Sequence, residues 1–324
     1  MFRRRNRLNG RTLALEVAGP MLRMVAIEGA EGAERLQVQT RSVVWQREAS
    51  DWVSEQGIEE LGTAIRTLAA EEKLEGSKVT VTLGGAACFT WSMAGRCDEV
   101  RRALAGLEDR GSLYVTLGAG PKLAAASSHP LDSRREHLLV SIVHQKIVET
   151  LAGAVRQAGL VLTRLEPGLV SLSRLLGHLG HDRDAPAMIL NLHDRGAELG
   201  VSYRGRLLLD YRPVAHVTAE AAAEAVIRHL DQIGRYCARQ HSYATGPIDR
   251  IFLFGPSPQV RVVHDGLRRK KDLRVFARNS DLLDPRWRID GAAQASEFGA
   301  ALGCGLAADP SNALSAGQIG RAHV

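Results

Sequence analysis

The feature that most constrains this chain is an order of elements that occurs twice. Leu13-Ala-Leu-Glu-Val17 reads as a strand, Gly19-Pro20 as a turn, 22–27 as the returning strand, and 36–45 as a third strand with alternating polar residues. A helix with Leu61, Ile65 and Leu68 on one face follows; Gly76 lies past its end, before the short strand Lys78-Val-Thr-Val-Thr-Leu83. In the second half, Met188-Ile-Leu-Asn-Leu192 is an apolar strand, and 197–203 with 206–211 form a hairpin around Arg204-Gly205. A long helix over 219–240 carries Val226, Leu230, Ile233 and Cys237 on one face, and Arg250-Ile-Phe-Leu-Phe254 is the next strand. Each hairpin has an apolar side that a helix layer must cover, so each β-β-β-α-β run predicts one lobe. Topology is duplicated; the two sequences do not match.

Between the copies lies an insertion at about 89–160. It holds an expected helix near 98–107, strands near 113–117 and 138–143, and a helix from 145 to 158 closed by Gly159. A strand resumes at 161–165. After the second copy come a helix bearing Val260, Val263 and Leu267 and a strand at 273–276. Next is a small-residue helix over 298–308, with Gly299, Gly303 and Ala307 four apart for close backbone approach. The expected organisation is a basic tail at 1–10, a first lobe at 11–184 including the insertion, a second lobe at 185–295, a helix at 296–310 returning to the first lobe, and a tail at 311–324. The last six residues, Ile319-Gly-Arg-Ala-His-Val324, read as a translated sequencing adapter, which leaves the natural C-terminus undefined.

Composition excludes several classes. The 324 residues are 45% hydrophobic and 24% charged, ordinary for a globular protein. The net charge of +6 is spread along the chain, and 5% aromatic residues offer no base-stacking platform, so no nucleic-acid partner is expected. No run reaches the ~20 apolar residues of a membrane span. Cys88, Cys97, Cys237 and Cys304 are scattered, as expected for reduced thiols. His178-x-x-His181-Asp-Arg-Asp184 lacks a closed ligand set and reads as a solvated helix end, so no metal site is expected there. Arg268-Arg-Lys-Lys271 reads as a cationic helix cap, and Gly118-Ala-Gly120 lacks the Lys and Ser/Thr of a phosphate loop.

The doubled lobe, the segment Gly159-Leu-Val-Leu-Thr-Arg-Leu-Glu-Pro167, the long helix running into Ile251-Phe-Leu-Phe-Gly255 and the terminal Gly/Ala helix together resemble the actin-like superfamily. Within it the chain is most similar to PilM-type type IV pilus proteins over nearly all of residues 11–308. The resemblance implies an α/β fold of duplicated actin-like (RNase H-like) lobes with an inserted subdomain. It also implies an ATP site between the lobes, made of two hairpins and a Gly-Gly turn.

The family's first hairpin reads Asp-x-Gly-x-x-x-x-Lys; the matching positions here are Glu16, Ala18 and Arg23. Charge sign survives, but Ala18 puts a methyl group where backbone must approach phosphate. The second hairpin opens with Asp-x-Gly in the family and with Asn191-Leu192-His193 here. Asn191 is a poor partner for Mg²⁺, and His193 places an imidazole where a phosphate oxygen would lie. The adenosine turn is Gly255-Pro256, which lacks one N–H donor.

The resemblance therefore implies a cytoplasmic scaffold, peripheral at the inner-membrane face, in a type IV pilus or type II-like secretion platform. Its partners would be a membrane-anchored PilN-like protein and other platform components. No catalytic residue and no cofactor are expected. ATP with Mg²⁺ belongs to the alternatives, an active actin-like ATPase or a small-molecule kinase; an FtsA-like cell-division scaffold is a further alternative. Arg3, Arg4, Arg5, Arg7 and Arg11 would add a weak pull of about 1 kcal/mol each toward an anionic leaflet.

Overall fold

Strand β1 (Gly10–Ala18) turns at Gly19-Pro20 into β2 (Met21–Gly29), pairing Glu16 with Arg23, and β3 (Leu36–Val44) continues the meander. Helix α1 (Glu55–Glu71) crosses to β4 (Lys78–Leu83), which joins β1 in parallel. The computed structural model describes residues 10–29, 36–45, 55–72, 74–84, 87–99, 102, 122–131, 133–193, 196–212, 218–270, 272–290, 295–306 and 314–315. The chain then makes β5 (Cys88–Arg96), β6 (Lys122–Pro130) and β7 (Arg135–His144) before returning through α2 (Gln145–Gln157), β8 (Val161–Pro167) and α3 (Gly168–Leu179). The second half repeats the plan. It runs β9 (Ala187–His193), β10 (Gly196–Tyr203), β11 (Arg206–Tyr211), α4 (Ala219–Gln240), β12 (Arg250–Phe254), α5 (Ser257–Leu267), β13 (Arg274–Phe276), α6 (Asn279–Leu282), β14 (Trp287–Ile289) and α7 (Ala295–Gly305). A short β15 (Leu314–Ser315) ends the described chain.

The duplication is visible in strand order: β3-β2-β1-β4-β8 in one lobe and β11-β10-β9-β12-β13 in the other. This is the expected fold of duplicated actin-like lobes. Helices α1 and α2 pack together on the outer face of the first sheet, where Leu61, Ile65, Leu68, Val148 and Leu151 bury against Leu15 and Val81. Helices α4 and α5 do the same on the second sheet through Val226, Ile233 and Val263. The last helix of each half, α3 and α7, turns inward. A central core joins Leu172 and Leu176 of α3 to Phe298 and Leu302 of α7, with Val25 and Ile27 from one sheet and Ile189 and Phe254 from the other.

Glycine decides how close these inner helices come. A Cβ on Gly303 would stand 1.9 Å from the Ser171 carbonyl oxygen, and one on Gly299 would stand 2.2 Å from Phe254 Cδ1. The small-residue spacing therefore does what it predicts; Ala307 lies outside the described residues.

Several boundaries differ from expectation. The inserted sheet has the order β5-β7-β6, all antiparallel. Its β6 escapes pattern reading, because Ala-Ala-Ala-Ser-Ser is a poor strand former and becomes a strand by pairing with β7; β5 is a further strand that the expectation lacked. Helix α2, expected within the insertion, belongs to the first lobe's core, so the insertion spans about 88–144. The second lobe does not run to 295: β14 crosses back and pairs in parallel with β3, Trp287 opposite Leu36. The terminal helix spans 295–305 rather than 298–308, and part of the expected tail forms β15 on β8. Of the helix expected at 98–107, residues 97–99 and 102 are described and helical; the strand expected at 113–117 lies outside the described residues.

Gly303→Ala tests the helix crossing. The added methyl must push α3 and α7 apart, so chemical denaturation is expected to show a loss on the order of 3 kcal/mol. Gly234→Ala, inside α4 where a Cβ meets nothing within 4 Å, is expected to gain about 0.5–1 kcal/mol.

Candidate functional site

The two hairpins face each other across the inner helices. On the first, Glu16 lies 3.5 Å from its cross-strand partner Arg23, and both are buried. Burial pushes the Glu16 carboxyl up; the Arg23 charge and a backbone hydrogen bond from Ala301 of α7 oppose that. Ala18 ends β1 against Gly84, the residue after β4, on which a Cβ would lie 3.4 Å from the Ala18 methyl. On the second hairpin, Asn191 sits opposite Glu198 in the β9–β10 register, and its Nδ2 donates to Glu198 Oε2 at 3.0 Å. His193 closes β9 opposite Gly196.

The Gly255 turn touches the second hairpin. Gly255 has φ of +122°, and a Cβ there would stand 2.3 Å from the Leu192 carbonyl oxygen, so no other residue fits. Its N–H donates to the Ser296 carbonyl at 2.8 Å. Pro256 opens α5, and the next N–H, that of Ser257, is taken by Glu297 Oε1 at 3.1 Å. The anion-binding end of this helix is thus occupied by the protein's own carboxylate.

Sequence reading missed three charged residues in the cleft. Glu198 is buried, and burial followed by the negative charge of Asp210 pushes its carboxyl up to about 7, against the pull of Arg212 and the Asn191 hydrogen bond. Asp210 is itself pushed up by burial and paired with Arg212 at 3.2 Å. The available signal was a lone Glu in the apolar run Ala197-Glu-Leu-Gly-Val201, followed by Asp210-x-Arg212 on the neighbouring strand.

These residues also anchor the insertion. Thr90 of β5 donates to Asp210 Oδ2, Arg212 donates to the Cys88 carbonyl, and Ser92 Oγ donates to the Leu208 carbonyl at 2.5 Å. Deeper in the same seam the Tyr243 hydroxyl meets His137 Nδ1 at 2.9 Å, with His241 alongside. Burial drives both histidines down, His137 to about 3 and His241 to about 4, so both are neutral at pH 7.

A Mg-nucleotide does not fit this donor set. The carboxylate expected at 191 is an amide already held by Glu198, Pro256 offers no N–H, and the N–H of Ser257 is committed. Among the described residues no group of three or more His, Cys, Asp or Glu is arranged to hold a metal.

The weaker sequence features resolve as well. His178 and His181 are not a solvated helix end. His178 Nε2 meets Asp284 Oδ2 at 2.9 Å and stacks on Trp287, while His181 stacks on Phe252. Arg268, Arg269 and Lys270 are exposed at the end of α5, and the four cysteines form no disulfide. Residues 118–120 lie outside the described residues. No described helix is long and apolar enough to cross a membrane.

No protein-family profile and no curated protein matches the sequence. Solved structures do. A chain of the PilM-PilN type IV pilus biogenesis complex is similar at 15% identity with a TM-score of 0.63, over 91% of this chain and 97% of that one. That likeness establishes a shared fold. Looser similarity extends to a Bacteroides thetaiotaomicron protein with an actin-like ATPase fold (10% identity, TM-score 0.48, 84% and 92% covered). It also extends to the cytoplasmic domain of EpsL, an inner membrane component of the type II secretion system of Vibrio cholerae (11% identity, TM-score 0.46, 95% and 100% covered).

The raised Glu198 carboxyl makes a pH-linked expectation. Between the ordinary glutamate value of about 4.3 and the folded value of about 7, the native state holds a proton that the unfolded chain has lost. Stability therefore falls as pH rises through that window and stays low above it. Glu198→Gln keeps an acceptor for Asn191 and removes the titration. Its unfolding free energy is expected to exceed the parent's at about pH 8, by on the order of 1–3 kcal/mol, and to converge with it near pH 4.5.

Proposed function

We propose that the protein is a PilM-type scaffold of a type IV pilus or type II-like secretion platform. It acts by binding the cytoplasmic peptide of a membrane-anchored PilN-like partner and does not turn over ATP. The observation that carries this reading is the likeness to a chain of the PilM-PilN complex over 91% of the sequence. The chemistry of the cleft supports it. Glu16, Ala18, Arg23, Asn191, His193, Gly255 and Pro256 occupy the nucleotide positions, and their polar groups serve the protein itself.

The binding surface in this reading is the groove between the first lobe and the inserted sheet. A strand edge offers backbone hydrogen bonds to an extended peptide, and side-chain pockets select its sequence. The net charge of +6 favours placement near an anionic leaflet, cytoplasmic and peripheral, and weakens with salt.

Two measurements test the reading. With Mg-ATP, phosphate release is expected to stay at background; measurable turnover would refute the ATPase half of the proposal. For the partner, residues 89–143 are replaced by a short Gly/Ser linker. A cut extending to 158 would strip α2 from the first lobe's core. The trimmed chain, checked for folding by circular dichroism, is expected to lose the inner-membrane protein that the full chain recovers from its host. Equal recovery by both chains would defeat the groove assignment.

A further inference from the structure

The seam between the insertion and the second lobe contains a pair of histidines. His137 lies on β7 and His241 follows the last turn of α4. Their ring centroids are 5.7 Å apart, and both residues are sealed from solvent, at 1% and 0% exposure. β5 contributes Ser92, whose Oγ donates to the Leu208 carbonyl of β11 and stands 3.5 Å from His241 Nε2. The chain after α4 contributes Tyr243, whose hydroxyl meets His137 Nδ1 at 2.9 Å. His137 Nε2 and His241 Nδ1 are buried with no hydrogen-bond partner. Protonation turns both nitrogens of an imidazole into donors, so the Nε2–H of His137 and the Nδ1–H of His241 would each find no acceptor.

The surrounding charges offer a second proton no relief. Those acting on His137 are His241, Arg206 of β11 and His129 of β6, all of one sign when charged. Tyr203 of β10 and Cys237 of α4 face Tyr243 and bring no carboxylate. Burial first, and for His137 these charges as well, keep both rings neutral against the pull of the Leu207 and Leu208 carbonyls. Asp210, two residues along β11 from Leu208, pairs with Arg212, and Glu198 stands beside that pair. Burial raises both carboxyls, so they lean the opposite way with pH.

We propose that this seam is a latch that mild acid opens: proton uptake by the His137–His241 pair releases the insertion from β11 while both lobes stay folded. With the insertion docked, the rings resist protonation down to about 3 and about 4; released into water, they titrate at the ordinary value of about 6.5. Docking is therefore at full strength above about pH 7 and weakens below it, by about ten-fold per pH unit for each histidine. From pH 7.5 to 5.5 the two histidines together weaken it roughly 100-fold.

Hydrogen exchange of the full chain tests the latch, read by mass spectrometry at pH 7.5 and 5.5 and corrected for the intrinsic rate at each pH. Peptides from β5 and β11 report release, and peptides from β4 and β9, inside the two lobes, report global unfolding. His137→Gln, His241→Gln and the double variant keep a polar side chain and remove one or both titrations; circular dichroism at pH 7.5 verifies their fold. Asp210 and Glu198 act alike in every chain, so ratios between chains isolate the histidines. On going to pH 5.5, β5 and β11 of the parent are expected to lose roughly 100-fold in protection relative to the double variant, and about ten-fold relative to either single variant. The β4 and β9 peptides are expected to keep theirs. The single variants carry the test by themselves should the double variant fail to fold. An equal loss in the parent and the single variants, or a loss that β4 and β9 share, overturns the inference.

Discussion

The crossing of α3 and α7 fixes everything else in the molecule. At that point Gly303 lies against the Ser171 carbonyl, and Arg174 closes the contact from the side. Arg174 holds both oxygens of Glu166 at 2.7 and 2.8 Å and donates to the Gly303 carbonyl at 2.9 Å. Ser171 Oγ adds bonds to Glu166 at 2.5 Å and Thr82 at 3.0 Å. A strand end of the first lobe, its helix α3 and the terminal helix α7 thus share one hydrogen-bonded knot. Glu166 is buried, so removing Arg174 alone would strand a carboxylate at a cost of about 3–5 kcal/mol. The two lobes have little freedom to slide at this level.

That crossing sets how near the two hairpins come, and their charges account for one another without a ligand. Glu16 has Arg23, Asp210 has Arg212, and the remaining acid, Glu198, carries a raised pKa and an amide partner. A nucleotide site with paired carboxylates leaves negative charge for Mg²⁺ to neutralise. Here two guanidiniums and a proton do that work, and the positions that would offer N–H groups to phosphate are a proline and a capped helix start. The charge balance and the donor set argue the same way, from different residues.

The lobes were legible because their elements are strongly patterned. The apolar strands 13–17 and 188–192, the long helix at 219–240 and the Gly/Ala helix each announce their environment. Polar strands announce nothing. β5 alternates Thr90 and Ser92 toward the second lobe with Trp91 turned away, and its identity depends on the β11 groups it meets. The site was half legible. The resemblance located Glu16, Asn191 and Gly255, but Glu198 and Asp210 lie on strands where a buried acid has meaning only once the register is known. His178 and His181 misled in the opposite direction. Their spacing suggests ligands or solvent, and long-range partners about a hundred residues away claim them.

The insertion illustrates how such long-range pairing shapes function. It leaves the first lobe after β4 and returns directly into α2, so covalently it is part of that lobe. Its polar face docks on the second lobe instead, through Thr90, Ser92 and His137 against β11 and the end of α4. The subdomain therefore bridges the two lobes at the rim of the cleft. Hydrogen bonds dominate this seam, and each is worth about 1 kcal/mol net when water can replace it, far less than an equal area of packed core. Asp210 and Arg212 belong both to the seam and to the charge set around Glu198. A displacement of the insertion would act on the residues that neutralise the cleft. In this protein the path from the inserted subdomain to the charge set around Glu198 is two side chains long, and it runs through hydrogen bonds.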